Sequence, residues 1–180
     1  MHKRVFKAPG KLTAGDYRKN APSLAPWLLG KMLCRKTGRK TIKLRITETE
    51  AYYGEEDTAC HAHKGKTERT SIMYEEGGHA YIYLCYGIHW LLNVVSGKKN
   101  FPEAVLIRGV EGFNGPGKLT RKLEIGKSLN GENLAESNRL WIEDDGSRPL
   151  FEAAKRIGIN YASEEDKNRL WRFTAVMNTP

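Results

Sequence analysis

One stretch restricts the fold of this chain more than any other: AYIYLCYGIHWLLNVVS, residues 80–96. Two runs rich in aromatic and β-branched residues, 80–86 and 89–96, flank Gly87. Such runs suit a pleated, half-buried surface, and a glycine between them supplies a tight turn, so the pattern predicts two strands of a hairpin. More strands are expected over 40–52, where Thr and Ile alternate with polar residues, over 103–109, and over 139–143, which the Asp144-Asp145-Gly146 turn ends. Helices are expected over 21–35, where Leu24, Trp27, Leu28, Lys31 and Met32 fall at helical spacing; within 116–128; over 149–157, with Pro149 in the first turn; and over 163–170, where Ser163 and Asp166 resemble a capping box. Strands in the middle with helices mainly outside predict an α+β fold around a largely antiparallel sheet, in a single domain spanning 1–180 with a basic N-terminal arm over 1–12.

The chain of 180 residues is long enough to bury a core without staples. Its formal net charge is +9, from 30 Lys and Arg against 21 Asp and Glu, which raises nucleic acid as a partner without deciding it. No apolar run approaches the ~18 residues of a membrane helix. The basic start MHKRVFKAPG is not followed by an apolar segment, so no secretory signal is expected. Three cysteines, Cys34, Cys60 and Cys85, make a disulfide framework a poor reading and fit an intracellular, cytoplasmic setting.

Candidate chemistry concentrates in four places. By period two, Leu44, Ile46, Glu48, Glu50 and Tyr52 share one face of the 40–52 strand, an odd mixture because a core-facing acid is costly unless paired or useful. A strand end leaving the core, or a bulge that swaps faces, explains it equally. The following segment GEEDTACHAHKGKTERT holds Asp57, Cys60, His61 and His63. One His-x-His without a second ligand cluster is a weak metal signal; exposed loop histidines or a phosphate contact are the alternatives. Tyr86 falls at or near the hairpin tip, where a ring can wedge between base pairs, although the pattern alone leans slightly to a core tyrosine. Asn93 interrupts LLNVV and must find partners if buried. Arg108 ends the apolar run EAVLIRG and can meet a carboxylate such as Glu50. In NGPGKLTRKL, Lys118, Arg121 and Lys122 near a helix start can hold phosphate.

Taken in order, LLGKMLCR, ITETEAYYGEEDTACHA, HAYIYLCYGIHWLLNVVS, EAVLIRGVE, NGPGKLTRKLEI and RLWIEDDG resemble the alkyladenine (3-methylpurine) DNA glycosylases across most of residues 27–157. The resemblance implies a mixed α/β fold with a curved antiparallel sheet and a protruding hairpin that enters the DNA minor groove. It also implies roles. Glu50 in ETEAY is the expected general base; Arg108 is its charged partner. Tyr52, His61, Tyr83 and Asn93 are expected in the base pocket, with Asn93 screening against the amine of normal guanine. Tyr86 is the expected intercalating wedge. Lys118, Arg121 and Arg69 are the candidate phosphate contacts. A shorter loop after His61, a shorter stretch between Arg108 and GPGKL, and no long N-terminal tail point to a compact, bacterial-type member.

Read through that resemblance, the chain is a base-excision enzyme acting on double-stranded DNA that carries 3-methyladenine, 7-methylguanine, hypoxanthine or ethenoadenine. A duplex base must be extruded before its glycosidic bond can be reached. No lysine stands beside Glu50, so hydrolysis of the base without strand cleavage is expected, with no metal and no cofactor. A monomer is expected, away from membranes. Two rivals remain: a non-catalytic nucleic-acid-binding module on a related sheet, and a metal hydrolase built on Asp57, His61 and His63.

Overall fold

Strand Lys40–Tyr53 organises the molecule: three neighbouring strands pair with it, all antiparallel. In the computed structural model, which describes residues 10–176, the strands in chain order are β1 (Gly10–Lys11), β2 (Met32–Thr37), β3 (Lys40–Tyr53), β4 (Ala80–Cys85), β5 (His89–Val95), β6 (Glu103–Val110), β7 (Phe113–Asn114), β8 (Leu140–Asp144), β9 (Phe151–Ala154) and β10 (Arg172–Ala175). The helices are α1 (Ala21–Leu28), α2 (Pro116–Lys122) and α3 (Glu164–Asn168). The main sheet runs β1-β8-β2-β3-β6-β5-β4, and β10 pairs with β3 and with β9. The architecture is α+β with an antiparallel sheet, as the hairpin pattern predicts. The expected N-terminal arm falls mostly outside the described residues; its last part, Gly10–Lys11, is paired with β8 rather than free.

Two register shifts, at Ile46–Glu48 and Glu48–Thr49, interrupt the β3–β6 ladder. A bulge bends a strand and changes which residues face each side. Ile42, Leu44 and Ile46 pack into the apolar core, and beyond the shifts the core residues are Ala51 and Tyr53. Of the readings open for Leu44, Ile46, Glu48, Glu50 and Tyr52, the bulge that swaps faces holds and the single face does not: the irregularity moves the acids and Tyr52 to the side away from the core.

Helices α1 and α2 cover the core face, burying Leu24, Leu28, Leu119 and Leu123 against Val105, Ile107, Leu92 and Val94. At the start of α1, Asn20 Oδ1 accepts the Ser23 N–H at 3.0 Å, a cap worth about 1 kcal/mol. The helix stops at Leu28, not at residue 35. Gly30 takes φ +83°, a left-handed conformation that ends a helix, and Met32–Thr37 instead pairs with β3 and β8. A Cβ at Gly30 would meet Pro149 Cδ at 2.6 Å, so the close crossing also excludes a side chain.

The helix expected over 149–157 is also corrected. Phe151–Ala154 is an edge strand on β10, with Arg172 opposite Ala154, and this pairing overrides the helix propensity of FEAAK. The other two helix expectations hold in shortened form: α2 occupies part of 116–128, and Ser163 caps α3 by accepting the Asp166 N–H, although the helix ends at Asn168.

Candidate active site

On the face of β3–β6–β5–β4 opposite the core lies a cavity of about 440 Å³. Tyr52, Ala104, Leu106, Arg108, Leu91, Asn93, Tyr81 and Tyr83 line it from the sheet; His61, Arg69 and Met73 line it from the loop after β3. A segment following β9 closes the remaining side with Ile157, Gly158, Ile159 and Tyr161. That size suits a single small ligand, and the mixture of aromatic walls with a few polar groups is typical of such sites.

Glu50 sits immediately behind this wall, 0% exposed. Its Oε2 accepts the Tyr52 hydroxyl at 2.8 Å, and its Oε1 accepts the Ile157 backbone N–H at 2.8 Å. Arg108 Nη1 stands 3.4 Å from the same Oε1. Arg108 Nε lies 3.4 Å from Glu48, which also accepts from Arg172 at 3.1 Å, so carboxylates and guanidiniums alternate in a row of four. Burial pushes the Glu50 carboxyl above its usual value, and Arg108, the Ile157 N–H and the Tyr52 hydroxyl draw it back only in part.

The aromatic wall is mutually braced. His61 Nδ1 is 2.9 Å from the Tyr81 hydroxyl, and the imidazole meets the Tyr83 ring edge-on at 4.4 Å between centroids. Burial, with the Arg69 guanidinium nearby, holds the His61 imidazole down to about 4, so it is neutral at neutral pH. Arg69 stacks over Tyr83 at 5.2 Å. Asn93 is buried opposite Tyr81 in the hairpin register, and its Nδ2 donates to the Tyr81 carbonyl at 3.1 Å.

Tyr86 stands at the hairpin tip, 88% exposed, which overturns the lean to a core tyrosine. Tyr86 and Gly87 have φ of 49° and 69°, and the Ile88 N–H donates to the Cys85 carbonyl at 3.0 Å. Positive φ at both central residues is what a type I′ turn requires, and glycine takes it readily. Leu84, Tyr86 and Ile88 thus form an apolar ridge beside the cavity mouth.

Comparison with known proteins adds an independent line. A family model for methylpurine-DNA glycosylase matches residues 15–114 and 111–179. The chain belongs to this family. A protein of Borrelia garinii subsp. bavariensis, provisionally named a 3-methyladenine DNA glycosylase, is 45% identical over 170 residues, covering 87% of this chain and 91% of that protein. Similarly named proteins of Psychrobacter cryohalolentis and Methanocella arvoryzae are 45% and 43% identical, covering 76% and 81% of this chain and 79% and 82% of their own.

Seven residues singled out from sequence line the cavity, Tyr52, His61, Arg69, Tyr83, Tyr86, Asn93 and Arg108, and an eighth, Glu50, stands behind Tyr52 and Arg108. Lys118 and Arg121 lie instead on exposed surfaces of α2, whose Pro116 touches the cavity. Asp57, His61 and His63 have separate partners. Asp57 pairs with Arg156 at 2.6 Å, His61 faces Tyr81, and His63 Nδ1 lies 2.7 Å from the Glu55 carbonyl. Among the described residues no group of three or more His, Cys, Asp or Glu is placed to hold a metal ion, and no helix is long and apolar enough to cross a membrane.

Sequence reading missed the segment 156–161. Its one visible signal is Gly158, which takes φ +77° and turns the chain along the cavity. Nothing in the order of residues tells that Ile157 meets Glu50.

Proposed function

We propose that the chain is a monofunctional DNA glycosylase that extrudes alkylated or deaminated purines from duplex DNA and hydrolyses their N-glycosidic bond. The observation that carries this reading is a buried carboxylate, Glu50, held by Arg108, Tyr52 and the Ile157 N–H at the wall of an aromatic cavity beside an exposed tyrosine tip. In this scheme Tyr86 enters the duplex from the minor groove and fills the vacated stack, with Leu84 and Ile88 beside it. The extruded purine lies between Tyr52 and the His61–Tyr83 wall, where stacking is worth about 1–3 kcal/mol per base. Asn93 faces the base edge and disfavours the exocyclic amine of guanine. Arg69, Lys118 and Arg121 contact the phosphates.

Hydrolysis needs a water at C1′. As the C1′–N bond breaks, its electron pair leaves with the purine and positive charge develops on the sugar. Glu50 stabilises that charge and takes a proton from the water, whose oxygen bonds to C1′. A carboxylate offers about four acceptor positions, so Oε2 can accept a water beside the Tyr52 hydroxyl. Only ionised Glu50 acts in this way, and its raised pKa therefore sets the acid limb of the reaction. No lysine lines the cavity among the described residues, which supports hydrolysis without a Schiff base and strand cleavage.

The test is excision from duplex DNA carrying a single hypoxanthine or ethenoadenine, in EDTA, with abasic sites cleaved by alkali. Breaks that need alkali, occur in wild type and vanish in Glu50→Gln are expected. If neither these lesions nor methylated DNA yield abasic sites while DNA is still bound tightly, the chain is a binding module instead.

A further inference from the structure

Behind the cavity wall, Asp57 and Arg156 form an ion pair buried on both sides. Arg156 Nη1 and Nη2 donate to the two Asp57 oxygens at 2.6 and 2.9 Å. Nη1 also donates to the Ala51 carbonyl at 3.0 Å, and the guanidinium lies over the Tyr52 ring at 4.9 Å and the Trp171 ring at 5.2 Å. Asp57 in turn accepts the Tyr53 and Ala59 N–H groups, each at 3.1 Å. The pair thus clamps the segment after β9 to the backbone of β3 at Ala51, the residue between Glu50 and Tyr52. The next residue after the arginine is Ile157, whose N–H points at Glu50.

A buried ion pair is weak evidence for stability, because desolvation offsets much of the attraction; fixing a register is its better-attested use. The planar fork of an arginine fixes direction as well as distance, which a lysine cannot do. We propose that the Asp57–Arg156 pair is a positioning device that aims the Ile157 N–H at Glu50 and thereby keeps the general base ionisable inside the protein. The inference rests on the glycosylase reading for its consequence in catalysis, but its physical core concerns Glu50 alone.

The groups facing Glu50 are Tyr52 and Glu48 on its own strand, Arg108 on β6, Arg172 on β10 through Glu48, and Arg156 in the clamped segment. A variant that alters the local charge would confuse the reading: Asp57→Asn would leave Arg156 uncompensated and pull the Glu50 pKa down. Two variants of the full chain limit this, and Arg156→Lys decides between charge and aim, because Arg156 itself faces Glu50. Arg156→Lys keeps the charge and loses the fork. Asp57→Leu with Arg156→Met removes both charges together, an exchange that buried pairs often tolerate without loss of stability.

The measurements are the pH profile of single-turnover excision from a hypoxanthine duplex and a carbon-13 NMR titration of the Glu50 carboxyl. In the double variant both midpoints are expected to rise by about one pH unit, the worth of one hydrogen bond to a charged group. Excision should fall about tenfold below the limb and stay within about threefold of wild type on the plateau, with Arg156→Lys shifting the same way by less. A folded double variant with both midpoints unmoved, or one slowed equally at every pH, overturns the proposal. If wild type excises no lesion, the glycosylase reading fails, while the carboxyl titration still decides the role of the pair.

Discussion

Two buried glutamates occupy the same strand pair and differ in what lies beside them. Glu50 on β3 and Glu103 on β6 lie on opposite faces of one ladder, three register positions apart, since Leu106 faces Glu50 and Glu103 faces Tyr53. Burial raises both carboxyls above the ordinary range. Glu103 looks into the core side, where it accepts the Ala21 N–H at the first residue of α1 and lies 3.4 Å from the Ser96 hydroxyl. A Cβ on Gly97 would overlap its Oε1, so it has no room for a further partner on that side. Glu50 looks the other way, against a guanidinium and a phenol, Arg108 and Tyr52, that themselves line the cavity. Burial and a perturbed pKa are shared; what separates the two is that the neighbours of Glu50, unlike those of Glu103, line a cavity, which is the ground for proposing a reactive role for one and a structural role for the other.

The largest expected effect breaks the pair apart by activity. Glu50→Gln removes the proton acceptor and should slow excision by about 10²–10⁴-fold, the usual worth of a positioned general base. Glu103→Gln should leave excision within about twofold, because the amide oxygen can still accept the Ala21 N–H. Melting temperature should not fall in Glu50→Gln, since a neutral amide relieves a buried charge. Equal losses of excision in the two Gln variants would mean that both act through folding and would remove the distinction.

How far the distinction could be read beforehand follows from range. The hairpin around Gly87 and its partners β3 and β6 were legible because their signals are local. The alternation flagged Glu48 and Glu50 together, because an acid among apolar and aromatic residues is costly, and left a bulge open; only the resemblance of ETEAY chose Glu50 between them. Arg108 followed as a basic residue at a strand end. Glu103 gave no signal at all; it reads as the polar start of a strand. The overrun of α1 past Gly30 has the opposite cause: Leu24, Leu28 and Met32 keep helical spacing while one left-handed glycine ends the helix. The wall at 156–161 was out of reach because its bonds join residues about 100 positions apart, Ile157 to Glu50 and Arg156 to Asp57.

A middle-sized effect sharpens the structural side. Glu103→Ala leaves the Ala21 N–H without its acceptor in a buried place, which costs about 1–3 kcal/mol. For a domain of this size that lowers the melting temperature by roughly 2–4 °C per kcal/mol. Glu50→Ala should cost at least as much: it removes a buried charge, but it leaves the Ile157 N–H and the Tyr52 hydroxyl without their acceptor and Arg108 with Glu48 alone. Scanning calorimetry of the two alanine variants compares them directly. A Glu103→Ala protein that melts with wild type would show that the α1 contact is dispensable.

The smallest expected effect concerns stability against pH. Each carboxyl has a higher pKa folded than unfolded, so between the two values the native state binds more protons than the denatured chain. Stability contributed by each group is then greatest below the unfolded value of about 4.5 and declines as pH rises through the folded value. Other acids pull the opposite way: Asp144 and Asp145 are held down by Arg148 and Arg45, and their contribution is lost as pH falls. The total curve therefore cannot isolate the two glutamates, but differences can. Urea unfolding of wild type, Glu50→Gln and Glu103→Gln from pH 4 to pH 8 should show each variant gaining on wild type as pH rises, by about 1.4 kcal/mol for every unit by which its carboxyl is raised. Parallel curves for one variant would mean that its glutamate titrates alike in the folded and unfolded chain, and the symmetry between the two buried acids would then end at their burial.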